Sequence, residues 1–154
     1  MRNLVRNTLA GVAVLLLGAA APALAQWDFG VRGGVYTEAE ASVVGLEALT
    51  QVGDGQWFFN PNSEFAFEDR QDTIAISGDF HYDFETTAPI YVWAGAGPAL
   101  IVRNPEFGDS DTDPGLNLLA GVGFNKGHDV IPYIQGKVVL SDFDEAALVF
   151  GVRF

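Results

Sequence analysis

The sequence predicts an all-β protein, a single antiparallel up-and-down barrel of eight strands. From Gln26 onward, apolar and polar residues alternate with a period of two, which is typical of strands whose two faces differ. Short polar turns, such as residues 53–55, separate the alternating stretches, and we find no stretch with a helical period. Eight strands joined by hairpins can close into a barrel and thereby lose their exposed edges.

The predicted strands follow one another at short intervals. They span residues 27–36, 42–52, 57–68, 73–84, 90–102, 115–125, 131–140 and 146–154. Five of them have a clear apolar face, marked in order by Val31, Phe59, Phe80, Leu118 and Phe150. The second and the seventh are less clear, with Leu46 and Ile134 on their apolar faces. The fifth is rich in glycine and alanine, with Tyr91 and Trp93 on its less apolar face. A longer acidic link covers residues 104–114, and we expect bulges or shortened strands at Pro61, Pro98 and Pro132, because proline cannot donate to the ladder.

A leader precedes the barrel. Arg2 and Arg6 give a positive start, residues 9–21 are apolar, and residues 23–25 form a small-x-small end, which is the layout of a secretory signal peptide. The apolar stretch is shorter than the roughly 20 residues that a membrane-spanning helix needs. We therefore predict cleavage after residue 25, export, and one folded domain over residues 26–154.

Composition excludes several function classes. The chain has 20 acidic and 8 basic residues, a formal charge of −12, so nucleic-acid phosphates would repel it. It has no cysteine and hence no disulfide, thiolate metal site or cysteine nucleophile. We expect no cofactor.

Three features predict that the apolar face points outward, toward lipid. Up-and-down topology brings one set of aromatic residues to the same rim, like a membrane-interface girdle: Trp27, Trp57, Phe84, Phe124 and Phe154. The strands have the length needed to cross a bilayer at a tilt, roughly 9–11 residues or slightly more. The hairpins of the opposite rim carry the acidic residues Glu38, Glu40, Glu68, Asp69, Asp72, Glu106, Asp109, Asp111, Asp113, Asp142, Asp144 and Glu145, with Arg70 and Arg103 as the only bases. The fold class is therefore an eight-stranded antiparallel up-and-down transmembrane β-barrel.

The polar face then fills the lumen. It carries the charged residues Asp28, Arg32, Glu47, Glu64, Asp79, Lys137 and Arg153. An eight-stranded barrel encloses only enough room for side chains, and charges in so narrow a space must be paired. We interpret them as a polar structural core, with a gated path for small ions as the alternative.

These features resemble a known family. Phe154, preceded at alternate positions by Val152, Phe150 and Leu148, resembles the C-terminal assembly signal of bacterial outer-membrane proteins. With the leader and eight strands, the chain resembles the small eight-stranded outer-membrane barrels of Gram-negative bacteria. The resemblance implies a monomer inserted by the outer-membrane assembly machinery among lipid and lipopolysaccharide, with both termini in the periplasm.

Alternative functions are weaker. Ser77, Asp79 and His81 share a face, but along one strand Ser77 and His81 are about 13 Å apart, too far for a catalytic pair. Asp109, Asp111 and Asp113 begin like a calcium loop but lack its later ligands, so they are only a weak metal candidate. We predict no enzymatic activity and a structural, envelope or surface-interaction role. The alternative is a soluble periplasmic lipocalin-like barrel that binds a small apolar ligand.

Overall fold

The computed structural model describes residues 27–38, 40–67, 71–105, 109–142 and 144–154. Its strands are β1 (Trp27–Tyr36), β2 (Ala41–Gln51), β3 (Trp57–Phe67), β4 (Gln71–Phe84), β5 (Ile90–Pro105), β6 (Asp111–Phe124), β7 (Ile131–Leu140) and β8 (Glu145–Arg153). Each strand pairs antiparallel with its sequence neighbours, and β1 pairs with β8 to close the barrel. The predicted eight-stranded antiparallel barrel is confirmed, whereas the predicted signal peptide, residues 1–25, lies outside the described residues. The described residues include no helix long and apolar enough to cross a membrane.

The two ends of the barrel differ in their residues. The turns at 52–56, 85–89 and 125–130, with Trp27 and Phe154, form what we call the terminal rim. The hairpins β1–β2, β3–β4, β5–β6 and β7–β8 form the acidic rim. Four residues predicted at the acidic rim lie outside the described residues: Glu68, Asp69, Arg70 and Glu106.

Apolar side chains point outward and charged ones inward. On the outer face, Leu46, Phe80 and Phe150 are 63%, 45% and 51% exposed, whereas Arg32 and Glu64 inside are almost fully buried. This is the reverse of a lipocalin-like barrel, whose apolar face lines the interior. Asp28, expected in the lumen, is instead exposed near the start of β1, because the barrel wall ends there.

The predicted acidic link at 104–114 is wrong. β5 continues to Pro105 and β6 already begins at Asp111, so only residues 106–110 connect them. Arg103 lies opposite Asp111 in the ladder and bonds to Asp113, whose side chain points inward. Because Arg103 and Asp113 pair inside the barrel, they belong to the strands, although their low hydropathy predicts a loop.

The prolines do not produce bulges. The register on both sides of Pro61 and Pro98 is constant, so both strands run through without an extra residue. At Pro61, the side-chain amide of Asn60 donates to the carbonyl of Ala48 at 3.1 Å and so supplies a donor beside the position where proline has none. Pro132 behaves differently, since the β6–β7 ladder ends at Tyr133 and leaves it just beyond the last pair.

Candidate functional site: the lumen and its two rims

The lumen contains a chain of five alternating charges. Side chains from β1, β2, β3, β7 and β8 form it, in the order Arg153, Glu47, Arg32, Glu64 and Lys137. Arg153 Nε lies 3.0 Å from Glu47 Oε1. Arg32 bridges the two glutamates, with Nη1 3.7 Å from Glu47 Oε2 and Nη2 3.0 Å from Glu64 Oε1, and Lys137 Nζ pairs with Glu64 Oε2. None of these side chains is more than 6% exposed, and each has an opposite charge beside it. Pairing of this kind is what makes buried charges tolerable.

Asp79, another of the predicted lumen charges, is held differently. Its Oδ2 accepts a hydrogen bond of 2.8 Å from Asn62 Nδ2, and its Oδ1 accepts one of 2.8 Å from Asn117 Nδ2. Asn62 Oδ1 in turn accepts a hydrogen bond from Arg32. Within the described chain Asp79 makes no ion pair, and Asn62 connects it to the five-charge chain.

Aromatic rings pack the lumen beside Arg153. The guanidinium Cζ lies 4.8 Å from the ring centroid of Trp93 and 4.6 Å from that of Tyr133, within the range of cation–π attraction. Trp93 Nε1 donates to Gln135 Oε1 at 3.0 Å. Sequence reasoning placed Trp93 on the inner face but missed Tyr133, although Tyr133 lies on the same face of β7 as Lys137.

Toward the acidic rim, the lumen contains a cavity of about 30 Å³. Its lining includes Tyr36, Asn117 and Lys137, and Arg103 and Glu145 lie at its outer side. The cavity has room for about two water molecules, far below the roughly 300–1,000 Å³ of ordinary small-molecule pockets. The lumen is therefore filled by side chains at this level.

The predicted interface aromatics lie at the terminal rim. Trp57, Phe84, Phe124 and Phe154 are 51%, 48%, 41% and 61% exposed, and Trp27 is half-buried. Trp57 packs edge-on against Tyr82 with ring centroids 5.4 Å apart, and Tyr82 packs against Phe84 at the same distance. The register of β3 and β4 produces this cluster, because Trp57 lies directly opposite Tyr82.

The weak metal candidate does not assemble. Asp113 is buried on β6 and pairs with Arg103, whereas Asp109 and Asp111 are exposed. Nowhere in the described ranges do three or more histidine, cysteine, aspartate or glutamate side chains come close enough to hold a metal ion together. The reason lies in β6, which places Asp113 inside the wall rather than in a loop.

No serine–histidine pair forms on β4. Among the described atoms, Ser77 Oγ and both ring nitrogens of His81 have no hydrogen-bond partner. His81 Nδ1 instead lies 3.0 Å from Asp83 Oδ1, and its ring stacks on Phe58 with centroids 5.6 Å apart. Alternation along β4 places Asp83 and His81 on the same face, and no other sequence signal relates the two residues.

Comparison with known proteins defines the fold. The barrel superposes on the N-terminal β-barrel domain of Pseudomonas aeruginosa OprF with a TM-score of 0.71 and 16% identity, covering 83% of this chain and 95% of that one. The chain has the fold of the small outer-membrane barrels. It also matches Neisserial surface protein A (NspA), with a TM-score of 0.65 and 18% identity over 82% of this chain and 92% of that one.

A third similar structure is the outer membrane enzyme PagL, with a TM-score of 0.51 and 11% identity over 80% of this chain and 97% of that one. No protein-family model and no curated protein matches the sequence. At these identities the small outer-membrane barrel fold is what the likeness shows, and function must come from the side chains.

Proposed function

We propose that this chain is an integral protein of the bacterial outer membrane, a monomeric barrel with a structural or surface-interaction role and no catalysis. The observation that carries the proposal is the reversed polarity of the barrel. Large apolar side chains such as Leu46 and Phe150 are exposed around the wall, while Arg32 and Lys137 are buried inside it. Contact of that apolar face with water would be unfavourable, whereas contact with lipid hydrocarbon would not be.

Membrane fractionation tests this assignment. We expect the folded protein to stay in the membrane pellet after a carbonate wash and to require detergent for release. We also expect mass spectrometry of the purified protein to find a chain that starts at Gln26, because residues 1–25 have the layout of a signal peptide. Release into the soluble periplasmic fraction would contradict the proposal and favour the lipocalin-like alternative.

The lumen supports a closed rather than a conducting barrel. Five paired charges cross it, and Asn62 connects them to Asp79, which also accepts a hydrogen bond from Asn117. An ion that entered from either rim would have to break these contacts to pass through the narrow lumen. In planar bilayers we expect no steady single-channel conductance, with a general porin in the same bilayer as the positive control. Steady unitary currents from the purified barrel would contradict this and favour the gated ion path.

The proposed partners are outer-membrane lipid, lipopolysaccharide and the outer-membrane assembly machinery. An envelope role predicts that deletion of the gene raises permeability to a small apolar dye, and that expression of the intact chain restores the barrier. Catalysis is the alternative, because the outer membrane enzyme PagL has this fold. Purified barrel incubated with lipopolysaccharide should leave all acyl chains in place by mass spectrometry, and a lost chain would refute the non-catalytic role.

A further inference from the structure

We propose that the terminal rim of the lumen contains a divalent transition-metal site formed by His81, Asp83 and Gln56. Four polar atoms of these residues are buried and have no hydrogen-bond partner among the described atoms: His81 Nδ1, His81 Nε2, Asp83 Oδ1 and Gln56 Oε1. All of these except His81 Nε2 are the proposed ligands. A buried polar atom without a partner is costly, so a group of them at one end of a lumen indicates a missing ligand. The site goes beyond the envelope role and does not depend on it.

The strand register brings these side chains together. Asp83 lies two residues from His81 on β4, so both side chains point inward. The backbone N–H of Asp83 donates to the backbone carbonyl of Gln56 at 2.9 Å, which places Gln56 directly opposite Asp83. Gln56 Nε2 donates to Glu85 Oε1 at 2.8 Å, and this bond holds the amide with Oε1 on its other side.

The spacing of the two strongest donors fits two ligands of one metal. His81 Nδ1 and Asp83 Oδ1 are 3.0 Å apart, yet they do not align as a hydrogen bond. Two ligands at right angles on a metal, each about 2.1 Å from it, are separated by about 3.0 Å, while tetrahedral ligands would be about 3.4 Å apart. The two atoms are therefore close enough to bind one ion together.

The surroundings hold the imidazole and leave a route for the ion. Phe58 stacks on the His81 ring at 5.6 Å with 20° between the planes, and Trp93 packs against it at 5.8 Å. The side chain of His81 is 2% exposed, while that of Asp83 is 17% exposed. An ion could therefore reach Asp83 from the terminal rim and be bound by a histidine whose orientation is already fixed.

The donor set also selects the metal class. It offers one imidazole, one carboxylate and one amide oxygen, with water completing the shell. For such nitrogen and oxygen donors Cu²⁺ binds most tightly among the common divalent ions, and its tetragonal geometry has right-angled ligands. Cu²⁺ is therefore the divalent ion that should bind this site most tightly, and it is the probe of choice.

The test is a Cu²⁺ titration of the tag-free mature barrel folded in detergent, followed by calorimetry and electron paramagnetic resonance. We expect one Cu²⁺ per barrel, with a spectrum that shows coupling to one imidazole nitrogen. His81→Ala and Asp83→Asn should each weaken binding at least about tenfold, whereas Gln56→Glu should tighten it by replacing an amide with a carboxylate.

His128 provides the matched control, because it is the second of the chain's two histidines and is exposed in a turn of the same rim. His128→Ala should leave the affinity and the spectrum unchanged. Asp83→Asn keeps the side-chain shape, so it tests the site even where His81→Ala fails to fold. The proposal is wrong if the barrel does not bind Cu²⁺, if His128→Ala abolishes binding, or if Asp83→Asn and Gln56→Glu leave the affinity unaltered.

Discussion

Glu64 lies between two cations in the middle of the lumen, with Arg32 on one carboxylate oxygen and Lys137 on the other. Replacing it by glutamine removes the charge but keeps the shape, which leaves both cations buried without their shared partner. Breaking a buried pair in this way costs about 3–5 kcal/mol. We expect Glu64→Gln to lower the free energy of unfolding by that amount, measured by urea titration of the barrel in lipid vesicles.

Asp142→Asn is the control for Glu64→Gln, because Asp142 is an exposed acid at the acidic rim. Its substitution should change the free energy of unfolding by less than about 0.5 kcal/mol. Adding Lys137→Met to Glu64→Gln removes one of the orphaned cations and should recover part of the loss. Equal effects of Glu64→Gln and Asp142→Asn would show that the lumen charges do not hold the barrel together.

At the residue scale, the sequence predicts which side chains face the lumen but not which ones pair. The alternation of side chains along each strand assigns Arg32, Glu64 and Asp79 to the inside. The choice of partners depends on the relative heights of non-adjacent strands, which no local pattern specifies. That is why the amides around Asp79 and the contact of Tyr133 with Arg153 do not follow from the sequence. The inward position of Tyr133 itself does follow from alternation along β7.

Pairing between β5 and β6 depends on a glycine opposite a tryptophan. Gly121 lies across from Trp93, and a Cβ at this position would overlap the indole ring. We expect Gly121→Ala to displace Trp93 and to destabilise the barrel by about 1–3 kcal/mol. Unfolding followed by tryptophan fluorescence measures both the stability and the altered environment of the indole.

Gly136 on β7 is the matched control for Gly121. A Cβ at Gly136 has nothing within 4 Å, and its backbone is not in the left-handed region. Gly136→Ala should therefore be neutral or slightly stabilising, because it restricts the unfolded chain. If Gly136→Ala costs as much as Gly121→Ala, contact with Trp93 is not the cause.

The seam between β1 and β8 is extended at the acidic rim by Glu38. Its Oε2 accepts the backbone N–H of Ala146 at 2.8 Å, and Glu145 Oε1 accepts the backbone N–H of Glu38 at 2.9 Å. The hydrogen bond from Ala146, and after it the one from the Thr37 hydroxyl, hold the pKa of Glu38 below its ordinary value. The stabilisation is therefore present above the unfolded-state pKa and is lost as the pH falls through the lower, folded-state pKa.

We expect the hydrogen-exchange protection factor of the Ala146 amide to fall when the pH drops below the ordinary glutamate range. Glu38→Ala should give the same loss already at pH 7. The backbone pair between Phe29 and Phe154 closes the other end of this seam and serves as the internal control. Unchanged protection of Ala146 in Glu38→Ala would rule out the carboxylate as its acceptor.

At the scale of elements, the alternation of apolar and polar residues predicts where a strand exists. It does not predict the residue at which the strand ends. β1 and β7 have their predicted bounds, and turn residues flank β7 on both sides. β5 and β6 extend past theirs because Arg103 and Asp113 pair within the wall, which hydropathy cannot distinguish from a loop. Pro61 is tolerated because Asn60 replaces a donor, a compensation that depends on the neighbouring strand.

For the whole molecule, the solvent around the barrel determines the free-energy cost of each residue on its outer face. Leu46 lies midway along β2, points outward and is 63% exposed. In water, an arginine at an exposed strand position would be nearly neutral. In a bilayer the same position is near the hydrocarbon centre, where arginine costs about 2–4 kcal/mol and the cost falls to about 0–1 kcal/mol near the interfaces.

Ser42 shares the outward face of β2 with Leu46 but lies at the acidic rim, and it is also exposed. We therefore expect Leu46→Arg to lower the free energy of unfolding in lipid vesicles by about 2–4 kcal/mol, and Ser42→Arg by less than about 1 kcal/mol. Leu46→Ala separates the loss of the apolar side chain from the burial of a charge. Both arginines lie on the outward face of β2, but at different depths in the bilayer. Equal effects on the free energy of unfolding would mean that hydrocarbon does not surround the wall. Another protein surface would then have to cover the outward phenylalanines and leucines.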